Sequence, residues 1–285
     1  MQLHGSASRT SPHLQRTLSH IFFKDMAAAL LANTIDPAQK CRLVSLCARG
    51  ANRLLNLDHS RPTSRLDNAD FVSALRLNLG LPPSKFLSDC PLATCVCGSL
   101  LKDNPTHFEA CITFRNTLVT KRHHKVTKAL ATLAENMGCI VSDGEFVLPS
   151  GKRTDLTLRL ATDPRAMQID TSIVQPSCDT YCRSRAQSKP LHAALHREEV
   201  KRKKYEAEVT AIGDTFSPFV WESYGAPAPS VISTVELIRT TGQIRGLDPP
   251  STKECLDDLY VAMVRGNSNI YSSGLSQAKL NKPSR

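Results

Sequence analysis

The sequence predicts an α+β chain, and three observations predict it. The first third places apolar residues at three-to-four spacing, the stretch 84–116 loses all periodicity and crowds with cysteine, and from Cys139 the pattern turns to period two before helical spacing returns. The 285 residues hold one large or two modest domains. Hydrophobic residues at 41% and charged residues at 22% match ordinary globular usage, which excludes a wholly disordered chain. The longest apolar run, Met26 to Ala32, falls far short of the roughly 20 residues of a membrane span. Met1 to Leu18 lack the apolar core of a secretion signal, so the expectation is an intracellular protein, nuclear or cytoplasmic, with no membrane partner. Lys and Arg number 36 against 26 Asp and Glu, and the resulting charge of +10 points to a polyanionic partner.

In chain order, Pro37 to Leu55 reads as one helix, with Leu43, Leu46, Cys47, Leu54 and Leu55 on a face. Asp67-Asn68-Ala69-Asp70 starts a second helix that carries Phe71, Leu75 and Leu77 and stops at Gly80 before Pro82-Pro83. A third runs from Asn116 to Asn136. Its apolar face is Leu118, Val126, Ala129, Leu130 and Leu133, and its other face carries Lys121, Arg122, His123, His124, Lys125 and Lys128. Strands follow at 145–148, 155–160 and 167–174, the last two forming a hairpin around Asp163-Pro164. A helix from Pro190 to Val209, a strand from Phe216 to Trp221, and helices over 230–242 and 251–264 complete the order. The last of these opens with the capping box Ser251–Glu254, and 266–285 reads as a flexible tail. Five regions result: a helical platform over 1–83, a Cys/His loop over 84–116, an α/β core over 117–229, C-terminal helices over 230–265, and the tail.

Ten cysteines in a chain without a secretion signal read as thiols. Cys95, Cys97, His107 and Cys111 offer three thiolates and one imidazole, enough to close a tetrahedral structural Zn²⁺ site with no position open for substrate. Cys90 could replace Cys95 in that set. Cys178 and Cys182 read as incidental thiols in a loop. Asp155 and Asp170, on adjacent strands of a short hairpin, can face one divalent cation, and Glu198, Lys201, Arg202 and Tyr205 share a face of the following helix. Cutting a phosphodiester requires a metal to polarise the phosphate, a nucleophilic water and a cation near the developing charge; two Asp and a Lys meet that minimum. Taken singly, each residue reads more simply as an edge aspartate or a solvated helix face. No nucleophile elbow or phosphate-cradling glycine loop occurs.

Five motifs stand in one order: the cluster Cys95, Cys97, His107, Cys111; the basic Arg122-His123-His124; Thr154-Asp155-Leu156; Asp170-Thr171; and Ala194 to Tyr205 with Lys201, Lys204 and Tyr205. Over roughly 65–225 this order resembles the C-terminal part of non-LTR retrotransposon polyproteins, where a Cys/His zinc motif precedes a restriction-like endonuclease of the PD-(D/E)xK class. The resemblance implies a restriction-endonuclease-like core with a small mixed sheet, in which Asp155 and Asp170 bind catalytic Mg²⁺ or Mn²⁺. It implies that Lys201, lent by the helix, orients or activates the attacking water, that Glu198, Lys204 and Tyr205 support the site, and that Arg122 and His123 contact DNA. The implied activity is target-site nicking of DNA, with element RNA and the reverse-transcriptase portion of the same element as further partners. Thr154 stands where the family has proline, and three residues separate His107 from Cys111 where four are expected. Residues 1–80 resemble at most the helical region after a polymerase, so the chain reads as a fragment of an element or a separated reading frame. The alternative reading is a catalytically inactive, zinc-containing nucleic-acid-binding module.

Overall fold

The computed structural model describes residues 12–278, apart from Pro91, Asp103 and Pro105. Helix α1 (Pro12–Asn33) leads into α2 (Pro37–Leu46), whose start is set by the Asp36 carboxylate accepting from the Ala38 amide at 3.0 Å. The single helix expected to Leu55 ends at Leu46. Gly50 sits at φ 84, a left-handed conformation that breaks the helix, and the chain resumes as a 3-10 turn over Ala51–Asn56. That turn buries Leu54 and leaves Leu55 exposed. Helix α3 (Asn68–Asn78) is capped as the sequence indicates, Asp67 accepting from the Asp70 amide at 2.7 Å.

The Cys/His stretch holds only short pieces: α4 (Lys85–Asp89), a bridge between Thr94 and Leu100, a 3-10 turn at His107–Glu109, and α5 (Ile112–Phe114). A π-type turn over Arg115–Val119 delays the next helix, α6, which spans Thr120–Asn136 instead of starting at Asn116. It ends at Gly138. Then come β1 (Ile140–Val147), β2 (Arg153–Arg159), β3 (Ala166–Val174), α7 (Asp179–Cys182), α8 (His192–Ala211), β4 (Thr215–Glu222), α9 (Pro229–Ile244) and α10 (Thr252–Gln277).

The strands form a mixed four-stranded sheet in the order β1-β2-β3-β4. The first three pair antiparallel, whereas β4 runs parallel to β3, from Met167 opposite Thr215 to Val174 opposite Glu222. A parallel pairing needs a long crossover, and α8 supplies it. Helix α8 covers one face of β3 and β4, while α6 and α9 cover the other, with α10 packed against α6 and α9. Sandwiched this way, β3 and β4 are buried along nearly their whole length.

The main core packs Leu156, Leu158, Ile169, Phe219 and Trp221 of the sheet against Val126 and Leu130 of α6, Ile238 of α9, and Leu259 and Tyr260 of α10. Each such side chain contributes roughly 1.5–3 kcal/mol. Opposite it, Val174 and Val220 meet Ala193 and Ala194 of α8, and Leu148 and Phe216 meet Tyr205 and Val209. Two buried glutamates close helix N-termini: Glu222 accepts from the Ala194 amide of α8 at 3.2 Å, and Glu198 from the Ser230 amide of α9 at 3.2 Å.

Helix α10 departs most from expectation. Its capping box forms, but the helix runs to Gln277 instead of ending at Val264, so 266–277 is no tail. Its extra turns bury Ile270 and Tyr271 against the Cys/His stretch, an apolar partner the local sequence does not reveal. Lys279, Lys282 and Arg285 lie outside the described residues. At Gly274 an added Cβ would fall 2.7 Å from the Phe108 ring. Gly274→Ala should therefore lower stability by about 1–3 kcal/mol, read as a reduced urea midpoint; an unchanged midpoint would mean that the loop and helix do not pack this closely.

Candidate metal centre and acidic site

With little core of its own, the loop brings Cys95, Cys97, His107 and Cys111 together so that all four ligand atoms lie within 4.8 Å of one another. Cys95 Sγ and Cys111 Sγ are 3.6 Å apart, and Cys97 Sγ is 3.0 Å from His107 Nε2. Ligands at about 2.3 Å around a tetrahedral Zn²⁺ stand about 3.8 Å apart, so this set fits zinc in donor chemistry and spacing. Cys90 is outside the group, which resolves the choice between Cys90 and Cys95. Burial lifts the Cys95 thiol to about 12. At Cys97 burial acts upward too, but hydrogen bonds with Ser99, Cys95 and Cys111 together outweigh it and draw the thiol down to about 6. Among the described residues no second metal group forms at Cys178 and Cys182.

Between two ligands of this centre, Glu109 turns inward and ties the loop to the rest of the protein. It accepts from Arg122 Nη1 at 2.6 Å and from Tyr271 Oη, and Arg122 Nη1 also reaches Asn267 Oδ1 at 2.7 Å. The side chains of Arg122 and Glu109 are only 2% and 1% exposed. The basic pair read from the sequence is therefore split. Arg122 is an internal strut, its charge consumed by Glu109, and is not available to DNA; this corrects its reading as a contact residue. The next residue, His123, points the other way, and its Nε2 lies 3.2 Å from Asp155 Oδ1.

Asp155 and Asp170 lie near each other. Leu156 pairs with Ile169 at the end of the β2–β3 ladder, and Asp155 and Asp170, the next residue of each strand, lie near enough for their charges to interact. Asp155 Oδ2 accepts from the Thr171 amide at 2.6 Å, and Lys201 of α8 makes an ion pair with Asp170. Exposure is graded: Asp170 and Lys201 form the floor at 5% and 10%, while Asp155 and His123 form the mouth at 20% and 25%. Burial raises Asp170 above the usual carboxylate range; Lys201 opposes this and Asp155 reinforces it. Burial likewise lowers Lys201 against the pull of Asp170. The two carboxylates offer hard oxygen donors of the kind that suit Mg²⁺ or Mn²⁺.

Tyr205 hydrogen-bonds Asp170 and accepts from Lys204 Nζ at 2.7 Å, so both predicted supporting residues reach the site. Burial, followed by the charge of Asp170, keeps the Tyr205 phenol protonated. Glu198 does not reach the site, because its carboxylate is committed to Ser230. Thr154 and Thr157 each donate to Gln168 Oε1 at 2.9 Å and brace β2 against β3 beside Asp155. The sequence reading missed Arg197, one helical turn before Lys201, whose Nε donates to Ser172 Oγ at 3.3 Å on the same sheet face. The four-residue spacing to Lys201 was its available signal.

Purified protein should hold about one Zn²⁺ per chain, lost in Cys111→Ser and kept in Cys90→Ser, as metal analysis after dialysis would read. Zinc retained by Cys111→Ser would rule out this ligand set. Arg122→Ala strands a buried carboxylate and should cost about 3–5 kcal/mol in denaturant unfolding; wild-type stability with weakened DNA binding would restore its surface role. No known family model matches the chain, and no curated protein is significantly similar to it.

Proposed function

We propose that this chain is a divalent-metal-dependent DNA endonuclease of the PD-(D/E)xK class, with a restriction-like core, that nicks target-site DNA as part of a retrotransposon-derived protein. The observation that carries the reading is the meeting of Asp155, Asp170 and Lys201 on one sheet face, with the two acids contributed by adjacent strands and the lysine by the crossover helix. A structural ion pair needs only one of those acids.

In this reading Asp155 and Asp170 hold Mg²⁺ or Mn²⁺, which supplies Lewis-acid polarisation of the scissile phosphate. Lys201, lowered by burial, positions the attacking water at Nζ and meets charge developing on phosphate. Tyr205 fixes Asp170, and Lys204 and Arg197 add positive charge at the rim. His123 orients Asp155 at the mouth. The zinc centre is structural and lies apart from these groups, among the residues packed on the end of α10. Target DNA is the substrate, with element RNA and a reverse transcriptase of the same element as further partners.

One observation favours the alternative, a catalytically inactive nucleic-acid-binding module: Lys201 lies directly on Asp170, a pair that can fill the floor as a plug. A plasmid-nicking assay separates the two. Wild type with Mg²⁺ or Mn²⁺ should convert supercoiled plasmid to nicked circles, and the near-isosteric Asp155→Asn and Asp170→Asn should each lose on the order of 10²-fold or more in rate. Nicking that persists in both variants would remove these acids from the chemistry. DNA binding by wild type without nicking would select the inactive module.

A further inference from the structure

The outer face of α6 carries cations that the acidic site does not use. Lys121, His124, Lys125 and Lys128 are exposed and recur at three-and-four spacing, forming one stripe along the helix. His123, two residues from Lys121 and one from His124, points instead to Asp155. The stripe walls a shallow groove whose other side is α10, through Gly266, Asn269 and Ser273.

The charge of this groove is uncompensated by sequence and by structure. No carboxylate occurs in 110–134 or in 259–278, the segments that supply both walls. Among the described residues, none of the ion pairs involves Lys121, Lys125 or Lys128. The charged surface of α8 is built the opposite way, pairing Lys203 with Glu199 at 2.6 Å and Arg202 with Glu206 at 3.0 Å. Both helices are lysine-rich, so an ordinary solvated face does not account for the difference. Like charges at four-residue spacing, as at Lys121 and Lys125, work against the helix that bears them, and an anion in the groove relieves the repulsion.

From these observations we infer that the groove between α6 and α10 binds the sugar-phosphate backbone of duplex DNA, without reading sequence. From Lys121 to Lys128 the helix rises about 10 Å, the length of about three nucleotides of one strand. An isolated phosphate cannot span that stripe, whereas a strand meets each lysine with its own charge. Lysines act as point charges on phosphate, and the Asn269 and Ser273 side chains are of the kind that donates to phosphate oxygens. A strand held here lies about one helix width from the acidic site, since α6 serves both. The choice of DNA over other polyanions rests on the endonuclease reading; the groove itself does not.

The test is the salt dependence of binding to a short labelled DNA duplex, measured by fluorescence anisotropy without added divalent metal. Replacing the three lysines together, Lys121→Gln with Lys125→Gln and Lys128→Gln, should flatten the slope of log K against log salt by about 2.7. Between 50 and 200 mM salt that removes about 40-fold of the affinity change. Glutamine matches lysine in helix propensity, and zinc content and melting temperature verify the fold. The charge-keeping Lys→Arg triple should retain the wild-type slope. A Gln triple with the wild-type slope overturns the inference, as does a wild type that ignores duplex DNA or prefers duplex RNA. A wild type that binds with the predicted lysine dependence yet never nicks leaves the groove standing and sinks the nuclease reading.

Discussion

The buried ion pair between Glu109 and Arg122 is the contact on which the remaining geometry hangs. Two charges withdrawn from water are tolerated when they are paired and hydrogen-bonded, and here Tyr271 bonds Glu109 and Asn267 bonds Arg122 Nη1, while Arg122 Nε stays without a partner. That requirement fixes three elements at one point: the Cys/His loop through Glu109, α6 through Arg122, and α10 through its two polar side chains. With Arg122 locked inward, helical geometry leaves His123 directed to Asp155 and the lysine stripe directed outward. A single buried arginine thus sets which side of α6 does which work.

Close approach makes the arrangement possible. Gly266 and Gly274 lie on α10 where Arg122 and Phe108 press against it, and neither position leaves room for a Cβ. Phe108 of the loop meets Tyr271 edge-on, and Phe114 meets Phe108 in the same way. A Cys/His cluster able to hold a metal on one side and an aromatic cluster on the other flank a segment that has almost no regular backbone hydrogen bonding of its own. The platform is fastened to the same helix near its start, Arg53 pairing with the buried Asp257 at 2.8 Å. Helix α10 is therefore the common spine of platform, loop and core.

The acidic site follows a different economy. Its floor is buried and its mouth is open, and Asp170, raised by burial, is held there by Lys201 and Tyr205. Placing the ammonium on the crossover helix lets the sheet supply both acids while the cation arrives from the layer above. The same crossover is what permits β4 to lie parallel to β3, so the connection that builds the sheet also completes the site.

Much of this was legible along the chain. Period-two alternation located the strands, and Asp67 and Ser251 marked helix starts through side chains that cap their own neighbours; these are local interactions, encoded within a few residues. The Cys/His cluster was legible as a candidate metal site because ligand chemistry restricts residue type, and the proximity of Asp155 and Asp170 because a hairpin brings adjacent strands together. Other features depended on distant partners. Arg122 and His123 look alike in sequence, and only the presence of Glu109 on one side and Asp155 on the other separates strut from site residue. The continuation of α10 to Gln277 required an apolar loop to pack on, and Glu198 was drawn away by the exposed amides at the start of α9. The sequence by itself determined most of the elements and the pool of candidate metal ligands and acids; the tertiary structure chose Cys95 over Cys90 and decided which charges are buried and spent, because burial is a property of what packs against a residue and not of the residue.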